Sequence, residues 1–461
     1  MHTLTRRTLL KISAAALPAF ALGCRRAFEP ELVPESTERF PRTPIAGDMT
    51  QTRIVIAFHV ADDSPVTLRL WTDLETVVVD QEIQPSGDGF HKVMVDDLLP
   101  GTAYQYALFF GKAPNFEDRS LICAVKTAHA DDSVLPVRLA LVSCIGQGSV
   151  LPDFYFPEST GNETKDPFMW EIFTHAADKE LDAVVHLGDQ GYLDFVWSAE
   201  EVTTESYLHA WGFYHGGGYR DLYPLAGLYT TWDDHEATDN KQFDPWDLTE
   251  EESAKLKHAK DAWYKVMPID AHTPEEKPVW RNFRWGKTLE LILLDCRYEL
   301  EEEHLMSEAQ LSWLLQTLKD SPCRFICVAT PKPFCVITSS KELLADNADR
   351  WDGYPDDRQR LTDVLDELQG TDVLFVAGDI HMNYLGQGSL TGDAPSDKMW
   401  EVCCTSGNRN PLADSLSPEQ FVFVDPSPHF PVLTFDPGTE SIHVAFYGKD
   451  GTLNFEQTLT S

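Results

Sequence analysis

Ala183-Val184-Val185-His186-Leu187-Gly188-Asp189-Gln190-Gly191-Tyr192 is an apolar run that breaks at a glycine and then delivers an aspartate and a tyrosine three residues apart. A near-continuous apolar run of this length reads as a strand buried on both faces, which needs further layers packed over it. The same texture recurs from Val137 to Val142, Leu289 to Leu294, Arg324 to Ala329 and Val373 to Ala377. Helical patterns lie between these runs. Ser307-Glu308-Ala309-Gln310 has the form of a capping box, and Leu311, Leu314, Leu315 and Leu318 then share one face. Leu361, Val364, Leu365 and Leu368 repeat that spacing before Gly370, which suits a helix stop. Short strands return from about residue 400 to 460. The pattern predicts a layered α/β domain over residues 135–461.

In open α/β sheets, ligands bind beyond the carboxyl ends of the strands. Here those ends carry one chemical theme. Ser143-Cys144 follows the first run, and Gly188-Asp189-Gln190-Gly191-Tyr192 the second. Trp232-Asp233-Asp234-His235-Glu236 follows Leu228-Tyr229-Thr230-Thr231. Asp295-Cys296-Arg297 and Gly378-Asp379-Ile380-His381 complete the set. A single aspartate after a strand is ordinarily a cap or turn former. Asp-x-x-Tyr, Asp-Asp-His-Glu and Asp-x-His at successive ends exceed what capping requires. Carboxylates and imidazoles crowded together are neutralised by cations. Two cations can hold a phosphoryl group and activate a water, with Asp189 as the natural bridge. The thiolate of Cys144 and the phenolate of Tyr192 suit a strongly Lewis-acidic ion such as ferric iron. Asp234, Asp239, Asn240 and Asp379 offer the oxygen donors that calcium prefers.

The N-terminal part reads differently. Thr5-Arg6-Arg7-Thr8-Leu9-Leu10-Lys11 precedes an apolar run from Ile12 to Leu22, matching a twin-arginine export signal over residues 1–24. The run is shorter than the roughly 20 apolar residues of a spanning helix. Ala21-Leu22-Gly23-Cys24 also resembles an imperfect lipoprotein box, which leaves lipidation of Cys24 and ordinary cleavage both open. Residues 25–47 read as a linker. Residues 48–130 alternate with period two, as at Val66, Leu68 and Leu70, and predict a small β-sandwich. Leu98-Leu99-Pro100-Gly101-Thr102-Ala103-Tyr104-Gln105-Tyr106 resembles the tyrosine-bearing corner of fibronectin type III modules. None of the nine cysteines forms a CxxC pair; most lie in apolar runs and read as small buried hydrophobes, and no disulfide pairing can be deduced.

The formal net charge is −37, and removing the signal, which holds three basic residues and no acids, makes it −40. That excludes nucleic-acid recognition through a basic patch and argues against an electrostatic hold on anionic membrane. The hydrophobic content of 43% marks a globular chain rather than an acidic disordered one.

The order SC, GDxxY, WDDHE, LDxR, QxxWL (Gln310 to Leu314) and GDxH is similar to that of the PhoD-type alkaline phosphatases of the metallophosphoesterase superfamily. The resemblance runs from about residue 48 to the C-terminus. It implies an αββα sandwich preceded by an all-β, fibronectin- or immunoglobulin-like domain, with one ferric ion and calcium at a phosphate site. Carried across, Cys144, Tyr192 and His381 would bind iron, Asp189 would bridge iron and calcium, and Asp379 would face calcium. Asp234 matches the metal-binding asparagine of ordinary metallophosphoesterases, with Asp233 an alternative calcium-facing group. His235 would lie near the phosphate and protonate the leaving oxygen. Arg297 would contact phosphate or form a structural ion pair. Where the family often has an asparagine pair, this chain has Asp239-Asn240. It also lacks the superfamily's opening Asp-x-His, whose place Ser143-Cys144 takes.

These readings lead to an exported, periplasmic or extracellular phosphoesterase acting on mono- or diesters. Its expected partners are a small-molecule or polymer phosphate-ester substrate and the twin-arginine export machinery, and only a lipid on Cys24 would tie it to membrane. The alternative is an inactive exported binding or adhesion module that keeps its metal site. A zinc hydrolase is disfavoured by the missing HExxH and the few clustered histidines.

Overall fold

A computed structural model describes residues 29–73, 76–145, 171–239, 244–337, 349–389, 399–407 and 410–460. The export signal, Cys24 and Asn240 lie outside them.

The strands after Pro136 fall into two facing sheets. In the first, Val137–Val142, Ala183–His186 and Gly227–Thr230 run parallel side by side. His429–Asp436, Ser441–Gly448 and Leu453–Thr460 extend that sheet antiparallel on one side. In the second, Leu289–Leu293, Phe325–Ala329, Asp372–Ala377 and Trp400–Cys403 run parallel, with antiparallel strands at both edges. Alternation explains why these runs are apolar throughout. Leu291, Leu293, Cys327 and Ala329 point between the sheets, where they meet Leu139, Leu141 and Val185. Their neighbours Ile292, Leu294, Ile326 and Val328 point outward onto Leu311, Leu314, Leu361 and Leu365. Those belong to helices Glu308–Asp320 and Pro355–Glu367, which cover the second sheet. Helices Thr204–Gly216 and Glu250–Val266 cover the first, setting Trp211 and Trp263 against Val184 and Leu228. The layers are therefore α, β, β, α, as the family resemblance implied.

The N-terminal strands form a five-stranded sheet built on Val66–Asp73 and Ala103–Lys112. It faces Ile54–His59 and Phe90–Val95 across a core of Ile54, Ile56, Leu68, Leu70, Tyr104 and Tyr106. Leu99 N–H donates to the Tyr104 hydroxyl at 2.9 Å, closing the corner anticipated from sequence. The described part of the 25–47 stretch is packed rather than free. Ile45–Gly47 is a strand that pairs antiparallel with Ile54–His59 and parallel with Gly227–Thr230. Only glycine fits at its end, because a Cβ on Gly47 would come within 2.6 Å of Leu228 O. The sandwich thus shares a sheet with the following layers. The eight cysteines among the described residues are free and buried.

The Ser307 reading needs one correction. Ser307 Oγ accepts the Gln310 N–H at 3.3 Å, but Gln310 does not reach back to complete a box. Its amide instead holds the Asp295 backbone, accepting N–H at 2.8 Å and donating to C=O at 2.9 Å. A glutamine that reads as a cap thus anchors the loop bearing Arg297.

His186 ends its strand fully buried, with Nε2 2.8 Å from the Tyr219 hydroxyl. Burial pushes its pKa down to about 3 from the ordinary 6.5. The unfolded chain therefore takes up a proton that the folded one refuses. The folded state pays no penalty above pH 6.5, and loses about 1.4 kcal/mol for each unit the pH falls from there toward 3. Urea unfolding at pH 7 and pH 5 should show a smaller pH-dependent loss for His186→Gln than for the unsubstituted protein. Equal losses would mean that His186 is protonated in the folded state.

Candidate metal centre

The parallel strands of both sheets end at one rim, and the loops that leave them carry the reactive side chains. Four of those residues hold left-handed backbone: Cys144 (φ 49°), Asp189 (φ 56°), Asp379 (φ 66°) and His381 (φ 56°). Non-glycine residues seldom adopt this region, and such strain concentrates where a side chain must be aimed. Gly188 assists with φ 105°; a Cβ there would meet Asp233 N at 2.5 Å.

Three clusters result, each with its candidate ligand atoms within 4.8 Å of one another. The first joins Cys144, Asp189 and His381, the second Asp189, Asp234 and His235, the third Asp233, Asp234 and Asp379. Asp189 and Asp234 each belong to two, so the clusters form a continuous chain. Tyr192 closes the first: its hydroxyl donates to Asp189 Oδ2 at 3.0 Å and lies 3.1 Å from His381 Nε2. Cys144 Sγ accepts the Asp379 N–H at 3.2 Å, tying the first cluster to the third. Asp239 is not in these clusters; its N–H donates to Asp194 Oδ1 at 2.5 Å.

The donor set fits cations. Asp189 Oδ1, Asp233 Oδ2 and Asp379 Oδ2 are buried and accept no hydrogen bond. Burial, and beyond it neighbouring carboxylates, push the Asp233 and Asp379 acids well above their ordinary range despite Arg297. Burial and the nearby Asp189 likewise hold the Cys144 thiol and Tyr192 phenol up. A bound cation would reverse this order by favouring the deprotonated donors.

Arg297 lies fully within the carboxylates. It pairs with Asp233 Oδ1, with Asp379 Oδ1 at 2.6 Å, Asp349 Oδ1 at 2.9 Å and Asp234 Oδ1 at 3.7 Å. His235 also adjoins Asp234. Its Nδ1 is 2.9 Å from both Asp194 oxygens, its Nε2 is 3.9 Å from Asp234, and its ring stacks on Tyr192 at 4.0 Å. Burial works against its charge, but Asp234, Asp189 and Asp194 together raise its pKa well above the ordinary value.

Sequence reasoning gave no role to four residues that shape this rim. Glu236 is buried and accepts the N–H groups of Asp189 (3.1 Å), Gln190 (2.7 Å) and Asp233 (2.8 Å), locking two cluster loops together. Asp194 orients His235. Asp349 joins Arg297 to Lys332, whose ammonium is 3.6 Å away and whose pKa burial lowers. Lys332 follows the Phe325–Ala329 strand, so it shares the strand-end position that marks the other site residues. Glu236 was visible as the last letter of WDDHE. No local pattern marks Asp349.

"Alkaline phosphatase D" of Bacillus subtilis (strain 168) is 23% identical over 272 residues, which is 50% of this chain and 46% of that protein. The match thus spans less than half of that relative's length. A solved structure of PhoD is similar over 93% of this chain and 94% of its own, with a TM-score of 0.72 and 19% identity. The purple acid phosphatase PPD1 from yellow lupin (Lupinus luteus) seeds matches 91% of this chain and 75% of its own, with a TM-score of 0.62 and 13% identity. Both structural likenesses concern the fold. The family model described as PhoD-like phosphatase matches residues 159–435, more than half of the sequence, and on that ground the chain belongs to the PhoD-like phosphatase family.

Proposed function

We propose that this protein is an exported, metal-dependent phosphoesterase that releases phosphate from mono- or diesters outside the cytoplasm. The observation that carries the reading is the chain of three clusters joined through Asp189 and Asp234 at the strand ends. Cys144, Tyr192, His381 and Asp189 would hold ferric iron, and Asp233, Asp234 and Asp379 would hold calcium. Bound cations would supply the positive charge that offsets the ester's own and the charge developing at phosphorus. The chain's residues do the rest. His235, oriented by Asp194, offers its Nε2 proton to the leaving oxygen. With cations on Asp233, Asp234 and Asp379, Arg297 would be released from these partners to contact the non-bridging phosphate oxygens, with Asp349 fixing its guanidinium. Glu236 holds the Asp189 and Asp233 loops at a constant separation. Export through the twin-arginine route would let the protein fold around its metals before crossing the membrane, with Cys24 as the one lipidation candidate.

The test is hydrolysis of 4-nitrophenyl phosphate and bis(4-nitrophenyl) phosphate, before and after chelation and calcium readdition. Activity should vanish on chelation and return with calcium. Cys144→Ala should lose bound iron, the visible tyrosinate-to-iron band and, by about a thousandfold, turnover. A fully active, iron-free Cys144→Ala protein would remove the iron assignment, and esterase activity indifferent to chelation would remove the metal dependence.

A further inference from the structure

Beside the clusters is a cavity of about 110 Å³ whose walls include Asp234 and Arg297, so it opens directly on the rim. Its other walls are chiefly Tyr298, Leu300, Tyr354 and Trp246. Two of these rings are fixed. The Tyr298 hydroxyl donates to Asp234 O at 2.9 Å, and its ring meets Trp232 edge-on at 4.8 Å. Tyr354 is buried in the cluster that packs the Pro355–Glu367 helix. Trp246, by contrast, is 42% exposed at the cavity mouth. A large indole left in water beside a reactive rim contributes little to the core and suits a ligand contact. Lys332 and Asp349, with Asp244 and Pro245 beside Trp246, complete the lining. Asp349 is matched to both Arg297 and Lys332, at 2.9 and 3.6 Å, so the cationic wall is already compensated and makes no demand for a second anion. Asp244 is exposed to solvent and disfavours a further anion, so what an occupant meets inside is chiefly ring faces and an aliphatic edge, in a space of the order that holds one benzene ring.

We propose that this cavity receives the leaving group, and that the substrate is a phosphate ester whose leaving group carries a neutral planar ring close to the ester oxygen. The inference rests on the phosphoesterase reading and adds the substrate class to it. Tyr298 and Tyr354 hold the two rigid walls, and Trp246 closes over the ring from the solvent side. A hydrocarbon ring displaces water from these faces, whereas a polyol would have to give up its hydration to reach them.

Benzyl phosphate, cyclohexylmethyl phosphate and glycerol phosphate separate ring recognition from leaving-group chemistry, because all three release aliphatic alcohols. With the metal-loaded full chain, kcat/KM for benzyl phosphate should exceed that for glycerol phosphate by about tenfold, with the puckered ring between them. Trp246→Ala should cut the benzyl value by about tenfold and the glycerol value by less than about twofold, while Trp246→Phe retains most of the preference. Leu300→Ala, on another wall, should shift the same ratio in the same direction. Equal turnover of the three esters, a preference for glycerol phosphate, or equal losses for all three in Trp246→Ala would overturn the pocket assignment while leaving the phosphoesterase reading intact, provided 4-nitrophenyl phosphate is hydrolysed. If the metal-loaded protein hydrolyses neither aryl nor alkyl esters, the phosphoesterase reading fails and the pocket assignment fails with it.

Discussion

Asp189→Asn is expected to lower kcat/KM by at least about a thousandfold and to reduce bound metal, with little change in melting temperature. The residue belongs to two clusters at once, and its Oδ1 is buried without a hydrogen-bond partner. Its backbone cannot move aside to compensate, because Glu236 holds its N–H and φ is fixed at 56°. Asparagine matches the shape but replaces one carboxylate oxygen with an NH₂ group, which repels a cation. It also removes the negative charge that a shared ligand must supply to both neighbours. Steady-state kinetics, elemental analysis and thermal unfolding on one preparation would separate these effects. An Asp189→Asn protein with ordinary turnover would show that the clusters are not the reactive centre.

The second large effect is on stability. Arg297→Met should destabilise the metal-free protein by about 3–5 kcal/mol, because removing one member of a buried charge group leaves the others uncompensated. Asp233, Asp379 and Asp349 each lie within hydrogen-bonding range of the guanidinium, and Asp234 lies just beyond. The drop in melting temperature should be about 10 °C in chelator, and smaller when calcium is present to assume the neutralising role. The pH dependence has a definite sign. The Asp233 and Asp379 acids are already raised, so at low pH they protonate and the missing cation matters less. The deficit should therefore grow from pH 5 to pH 8. Identical melting of Arg297→Met and the unsubstituted protein in chelator at pH 8 would show that Arg297 is not what keeps these carboxylates together.

The parts of this molecule that were legible in the sequence are those where one strand states its own environment. Val137–Val142 and Leu289–Leu293 are apolar at every position except Arg138 and Glu290, and burial on both faces follows directly. Their C-terminal loops then had to converge, which made Cys144, Asp189, Asp233, Asp234, Asp379 and His381 readable as neighbours. The parts that were not legible depend on distant pairing. Ile45–Gly47 is too short to display alternation, and the strand it joins, Gly227–Thr230, is remote in sequence. Gln310 carries the letter of a cap, yet its amide is closer to the Asp295 loop than to its own helix start. Glu236 and Asp194 act by holding backbone and imidazole, which gives them no spacing rule of their own. Lys332 is a single buried cation whose meaning emerges only beside Asp349.

Ile45–Gly47 also bears on how such a protein can be assembled over evolutionary time. A gene segment starting near residue 135 would encode both facing sheets but would leave Gly227–Thr230 without the neighbour it pairs with. The resulting raw edge would invite pairing with other chains. The sandwich therefore cannot be exchanged as a free-standing cassette: any successful recombination must bring three residues, Ile45-Ala46-Gly47, that complete the neighbouring layer.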